Sequence, residues 1–164
     1  MRQLIKNIYS AINTKIYLRN IVHGDNCKCN FKCKFTSKTV IGNNCHFNGM
    51  NISGSGKVII GNNFHSGKNI RVITTFHNFD GGKALPYDET SYSKDIIIEE
   101  NVWLGENVMI LGGVTIGEGA VIQAGSVVCK NIPKLAVAGG HPAVPFKYRD
   151  REHYYDLKEK QSFM

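Results

Sequence analysis

Aliphatic residues return every six positions through the second half of the chain. Between Ile98 and Pro133 the sequence divides into six consecutive hexapeptides: IEENVW, LGENVM, ILGGVT, IGEGAV, IQAGSV and VCKNIP. Their first positions are Ile98, Leu104, Ile110, Ile116, Ile122 and Val128. Their fifth positions, Val102, Val108, Val114, Ala120, Ser126 and Ile132, are mostly small or β-branched. A fixed period of this kind is the signature of a repeat architecture and takes precedence over local propensity. Each hexapeptide reads as one short strand and one corner, and three of them close a triangular coil. Ile98 then stacks on Ile116, Leu104 on Ile122 and Ile110 on Val128, so that each coil covers its neighbour's apolar layer.

The upstream half carries the same period less cleanly. IGNNCH begins at Ile41, IGNNFH at Ile60, SGKNIR at Ser66 and VITTF at Val72. The step from 41 to 60 is one residue more than three hexapeptides, which predicts a bulge or irregular corner near Gly54–Gly56. Cys27, Cys29, Phe31, Cys33 and Phe35 alternate with Lys28, Asn30, Lys32 and Lys34, the period-two pattern of a half-buried strand. That alternation explains the cysteines better than zinc ligation, because zinc ligands normally come as two spaced pairs. No metal is expected.

Two segments break the repeat. Residues 1–20 predict an amphipathic helix with Leu4, Ile5, Ile8, Ile12 and Ile16 on one face and Arg2, Lys6, Lys15 and Arg19 elsewhere. The favoured expectation is that it packs on the solenoid's open end and hides the edge; the sharper one is a weak membrane-surface anchor. The second break is a long excursion over residues 76–95, of the kind that usually carries function in a compact repeat. It holds His77, Asn78, Asp80, Gly81, Gly82 and Pro86. The solenoid itself occupies residues 21–149, followed by a tail over 150–164.

Composition agrees with this picture. Ile and Val together number 30 against 14 for Leu and Ala, and Gly and Asn number 17 and 16. β-Branched residues suit strands, while Gly and Asn take the positive-φ corners that turns need. A helical bundle is excluded. Five cysteines, an odd number, read as reduced thiols in the cytoplasm, and the N-terminus lacks the apolar core of a secretion signal. No apolar run approaches the length of a membrane-spanning helix. The formal charge of +7 suits phosphates, anionic sugars, nucleic acid or an acidic membrane face. Nucleic acid is not expected, because no recognition helix or aromatic stacking motif accompanies the charge.

The hexapeptides together with HNFD at 77–80, NVWLGENVMILGGVTIGEGAVIQAGSVVCKNIP at 101–133 and GGHPA at 139–143 resemble the hexapeptide-repeat acyltransferases. The likeness is to the sugar and polysaccharide O-acetyltransferase branch and covers about residues 60–149. It implies a left-handed parallel β-helix, acetyl-CoA as co-substrate, a homotrimer with active sites between subunits, and a sugar acceptor, a unit of a bacterial surface polysaccharide. N-Acetylation of a nucleotide-linked amino sugar, xenobiotic acetylation and a purely structural β-helix are the alternatives.

The resemblance also implies roles for residues. His77 is the general base that removes the acceptor hydroxyl's proton as the oxygen attacks the thioester. Asn78 or Asp80 either orients the imidazole or forms the turn. A backbone N–H near Gly105–Glu106 stabilises the oxyanion. Trp103, the only tryptophan, flanks the acyl site, and Gly113, Ala124, Cys129 and Lys130 meet coenzyme A. Cys129 stands where the family carries threonine, and His141 departs from the family's GNPA turn. Lys147 and Arg149 either meet a nucleotide phosphate or form a solvated basic tail.

Overall fold

A computed structural model describes residues 2–164; Met1, the first residue of the predicted N-terminal helix, lies outside the described residues. The hexapeptides wind into a three-sided solenoid. Its first face stacks Val22–His23, Thr39–Ile41, Val58–Ile60, Ile96–Ile98 and Thr115–Ile116. The second stacks Lys28–Cys29, His46–Phe47, His65–Ser66, Trp103–Leu104 and Val121–Ile122, then Ala136–Gly140. The third stacks Met50–Ser53, Ile70–Ile73, Met109–Leu111 and Val127–Val128. Pairing within each face is parallel, until the chain turns back and Ala143–Tyr148 pairs antiparallel with Ala136–Gly140.

The registers are those that the period predicts. Ile98 pairs with Ile116, Leu104 with Ile122 and Ile110 with Val128. All six are essentially solvent-free, as are the fifth-position residues Val102, Val108, Ala120 and Ser126. Alternate residues of a strand point to opposite faces, so one inward position per strand suffices to fill the core. The corners are built on asparagine. Asn26, Asn44, Asn63 and Asn101 all adopt left-handed backbone, with φ of 53°, 55°, 55° and 60°. Their side-chain amides form a ladder: Asn26 Nδ2 donates to Asn44 Oδ1, Asn44 Nδ2 to Asn63 Oδ1 and Asn63 Nδ2 to Asn101 Oδ1. Asparagine tolerates this conformation better than most residues, and here the same side chain ties one corner to the next.

The 19-residue step has two causes rather than one. Cys29 pairs with Phe47 and Ile41 with Ile60, but the third face pairs Ile52 with Val72, 20 residues apart. One residue is therefore missing between Phe47 and Ile52, and two are added between Ile52 and Ile60, around Gly54–Gly56. Gly54, at φ +97°, is required there: a Cβ on it would lie 2.4 Å from Thr74 Oγ1. The cysteine segment also departs from a single strand. Lys28–Cys29 forms a strand of the second face and Lys34 bridges to Asn51 on the third, so the chain turns a corner between them, which leaves Phe31 half exposed beneath the Lys68 ammonium. Cys29, Cys33 and Cys45 are buried in the core, and all five cysteines are free.

Helix α1, Arg2–Leu18, caps the first coil, but with the face opposite to the one expected. Thr14 Oγ1 accepts from the Cys29 amide at 2.8 Å, Ser10 Oγ donates to Asn30 Oδ1 at 2.8 Å, and Leu18 is buried. The edge of the second face is thus satisfied by hydroxyls, and the aliphatic stripe Leu4, Ile5, Ile8, Ile12 and Ile16 points away from the coil, each residue about half exposed. Helix α2, Arg151–Glu159, starts at the Asp150 cap, whose carboxylate accepts from the His153 amide. It docks on the corner between the first and second faces through Lys158, which pairs with Glu100 and Glu118, and through Tyr154, which meets Asn101 and Glu118.

The excursion is a β-arm. Thr75–His77 pairs antiparallel with Ser91–Ser93, and a loop joins them. Asp88, largely buried, closes the loop by accepting from the Thr90 hydroxyl and from the Thr90 and Lys83 amides. Those bonds, the Thr90 hydroxyl first, hold its carboxyl below the ordinary value of 3.8.

Two outcomes follow from these contacts. Ile110→Ala, which empties one position of the inner ladder, is expected to cost about 2–5 kcal/mol in chemical denaturation; an unchanged midpoint would show that the ladder does not carry stability. Because the folded Asp88 value is depressed, its contribution to arm order is complete above about pH 4 and is lost as pH falls through the lower folded value. Hydrogen exchange over 76–95 should therefore show the arm loosening in acid before the coils do. Asp88→Asn should loosen it at neutral pH and flatten the acid response, and equal protection in the two proteins would contradict the role.

Candidate active site

The arm leaves the solenoid at the corner between its third and first faces and carries His77 at the end of its first strand, opposite Ser91. The imidazole is exposed and lies flat against the Tyr87 ring, with centroids 3.8 Å apart and planes 13° from parallel. Deeper in the same arm, Phe76 stacks on Tyr92. Orientation of the His77 ring therefore comes from an aromatic face. Asn78 is engaged in the turn instead: its Nδ2 donates to Thr90 Oγ1 at 3.0 Å and its Oδ1 accepts from the Gly81 amide at 3.1 Å. Asp80 is exposed on the loop. Sequence reading missed Tyr87, because its contact with His77 crosses the loop and follows no period.

Above the arm, the same corner carries three more of the predicted residues. Gly113, at φ +91°, lies against the Lys94 side chain, where a Cβ would come within 3.0 Å of Lys94 Cδ. Cys129 and Lys130, both exposed, follow the last strand of the third face. This column thus places an imidazole, a glycine corner and an ammonium along one edge of the solenoid.

Trp103 lies elsewhere, on the outer surface of the second face, between His65 below and Val121 above. It is 54% exposed. A cleft of about 590 Å³ opens beside it, walled by His65, Tyr154, Leu157 and Phe163. That volume lies within the ~300–1,000 Å³ typical of small-molecule sites. The His65 ring lies against His46, centroids 4.5 Å apart and tilted by 51°, and burial, with the His65 charge next, pushes His46 down to about 4. Burial also lowers His65, so both rings are neutral near pH 7. Glu118 is pushed up by burial, but the Lys158 hydrogen bond and charge outweigh this and hold it ionised below its ordinary range.

The remaining predicted residues lie on the corner between the second and third faces, or near the C-terminus. Gly105 sits where two coils approach so closely that a Cβ would come 2.5 Å from the Ala124 amide nitrogen. Its own N–H is spent on Ile122 O at 2.8 Å, and the Glu106 carbonyl accepts from the Gly125 amide. Gly105 is therefore occupied by the ladder and offers no free amide to an oxyanion. Lys147 is exposed on the last strand, opposite Val137. Arg149 is held differently: its Nε donates to Gly119 O at 2.7 Å and its guanidinium covers the Tyr154 ring.

The structure thus gathers the predicted residues into two groups and does not join them. His77, Gly113, Cys129 and Lys130 share the corner between the third and first faces. Trp103 occupies the second face, with Gly105, Glu106 and Ala124 on its border. In a three-sided prism a corner lies across the body from the opposite face, so the two groups of one chain cannot enclose a common ligand.

Comparison with known proteins gives the arrangement its context. The family model described as bacterial transferase hexapeptide (six repeats) matches residues 95–130. A galactoside O-acetyltransferase from Lactococcus lactis is 33% identical over an alignment covering 96% of this chain and 75% of that protein. The galactoside O-acetyltransferase of Escherichia coli is 32% identical, with 95% and 72% covered. Among solved structures, a galactoside acetyltransferase in complex with coenzyme A superimposes with a TM-score of 0.68 at 28% identity, covering 88% of this chain and 71% of that one. The chain spans only 56% and 57% of the length of two yeast proteins that it matches at 38% and 39% identity. These likenesses run through the repeats, the arm and the tail, and with them the chain belongs to the hexapeptide-repeat transferases, in their sugar O-acetyltransferase branch, with the left-handed parallel β-helix as its fold.

Proposed function

We propose that the protein is an acetyl-CoA-dependent O-acetyltransferase that acts on a sugar hydroxyl, with His77 as general base. The observation that carries this reading is the setting of His77: an exposed imidazole at the end of the arm's first strand, held against the Tyr87 ring and on the same edge of the solenoid as Lys130. A sugar hydroxyl is too weak an acid to ionise near neutrality, and imidazole is matched to removing its proton in the transition state. The acceptor oxygen attacks the thioester carbonyl while its proton passes to His77. Collapse of the tetrahedral adduct forms the acetyl ester and expels the coenzyme A thiolate, which takes that proton back. No covalent acyl-enzyme is needed.

The separation of the two residue groups supports a site shared between subunits, with Trp103 of one copy facing His77 of the next. Exposed apolar side chains support such contacts: Val144, Phe146 and Tyr148 stand on the last strand at 55%, 62% and 55% exposure. A closed threefold ring of such heterologous contacts makes three equivalent sites. The cleft beside Trp103 fits a pantetheine chain, and Lys130 and Lys147 suit the phosphates of the nucleotide. We take the assembly to be a homotrimer, the acceptor to be a unit of a surface polysaccharide, and the compartment to be the cytoplasm, whose reducing conditions suit five free thiols.

Thiol release from acetyl-CoA, measured across galactoside, maltose and amino-sugar acceptors, tests the reading. Hydroxyl acceptors should be turned over, and His77→Ala should lower kcat about 10²–10⁴-fold while leaving coenzyme A binding in place. Trp103→Ala should act mainly on KM for acetyl-CoA. Full activity in His77→Ala, or acetylation of amino groups alone, would overturn it. Solution mass checks the assembly independently, a trimer being expected and a monomer contradicting the shared site.

A further inference from the structure

The chain carries its charge unevenly. Residues 1–79 contain eleven Lys and Arg and a single acid, Asp25, whereas residues 80–164 contain nine basic and twelve acidic residues. The salt bridges among the described residues all belong to the second group: Lys134, Lys158 and Lys160 with Glu99, Glu100, Glu118 and Asp156. The first coil, directly above α1, holds Lys28, Lys32, Lys34 and Lys38, all exposed. The solenoid is thus electrically polar along its axis, with its positive end at the cap.

That end is also where α1 presents its aliphatic stripe. At about 100° per residue, Ser10, Asn13, Thr14, Tyr17 and Leu18 cluster on one side of the helix, and these are its less exposed residues. Leu4, Ile5, Ile8, Ile12 and Ile16 cluster roughly 170° away. Docking on the coil is already complete through the first set, so the stripe is surplus to the fold. Lys15 falls on the same side near the helix C-terminus, and Arg19 follows in the turn after it; both are exposed. Five aliphatic side chains on one exposed helical face are unusual for a free surface.

We propose that α1 and the basic first coil form a docking surface for an anionic lipid bilayer, with the helix lying in the plane of the interface. The stripe enters the boundary between headgroups and acyl chains while the lysines of the first coil meet the headgroups. Amphipathic helices bind in this way through buried apolar area together with attraction to anionic lipid. Each Lys or Arg near such a surface contributes on the order of 1 kcal/mol. The charge pattern selects this occupant over a second copy of the chain. Two such ends, residues 1–38 of each copy, would juxtapose sixteen cations against two acids, whereas a bilayer containing anionic headgroups supplies the missing sign. The proposal is independent of the acceptor and of the reaction.

Flotation of the full-length protein with vesicles tests it. Wild type should float with vesicles containing phosphatidylglycerol and remain behind with pure phosphatidylcholine, and raising the salt should weaken the binding. The double variant Ile8→Ser, Ile12→Ser should bind at least about tenfold more weakly, and Lys15→Gln with Arg19→Gln several-fold. Both sets of residues are exposed, so circular dichroism and the thermal midpoint should stay unchanged, which separates lost docking from lost folding. Failure of wild type to float with anionic vesicles overturns the proposal. So does floating that the isoleucine variant retains in full, since the charge alone is then responsible. Sedimentation velocity covers the rival occupant: an assembly that Ile8→Ser, Ile12→Ser dissociates would assign the stripe to a second copy.

Discussion

Every inward side chain in this protein must share a column with the residue one coil above and one coil below. Parallel strands lie about 4.8 Å apart, and that spacing leaves no freedom to shift one coil without shifting its neighbours. The ladder from Ile41 through Ile60, Ile98 and Ile116 is the direct expression of this constraint. A residue inserted at a strand would turn the inward set outward, whereas a residue inserted at a corner leaves the columns intact. The chain's irregularities accordingly sit at corners: the lost residue after Phe47, the two gained around Gly54–Gly56, and the whole β-arm after Ile73.

The site inherits its division from the same constraint. A solenoid exposes flat faces and narrow edges, and neither encloses a ligand. The arm supplies relief at one edge, and α2 with the C-terminal residues supplies it beside Trp103. The two features stand on opposite sides of one chain, which is why the proposed site is one shared between copies. The antiparallel return of Ala143–Tyr148 closes one end of the second face, and α1 closes the other with the Thr14 hydroxyl. Both sheet ends are therefore blunted against unlimited growth.

How far the sequence could be read depended on whether a contact is periodic. From Ile98 to Val128 each hexapeptide states its own role, and the register was legible residue by residue. Upstream, the spacing from 41 to 60 revealed only a sum, which concealed a deletion and an insertion of opposite sign. Phe31 misled because alternation continues through a corner that the repeat length alone discloses. In α1 the aliphatic stripe was correctly seen, but its direction was set by the hydroxyls of Ser10 and Thr14, which satisfy the Asn30 side chain and the Cys29 amide of the open sheet edge. At the site, His77 stood out through a motif, while Tyr87 could not, since stacking across a loop leaves no trace in spacing. The amide of Gly105 likewise looked available until the coil above it was placed.

Met109 pairs with Arg71 across an interval of 38 residues, which is one ordinary coil plus twenty. The ladder passes beneath the arm without a change in register; the arm is tied to the coils at its base, where Ser93 meets Ser55 and the Gly113 amide donates to Asp95 O, while its outer part is held by its own contacts, Asp88 to Thr90, Asn78 to Thr90 and His77 on Tyr87. The arm's outer part can loosen at a lower free energy than the coils, since a local opening breaks only the contacts of the segment that moves. The covalent chain thus keeps two kinds of order apart: the coils share theirs through common columns, and the outer arm holds its own.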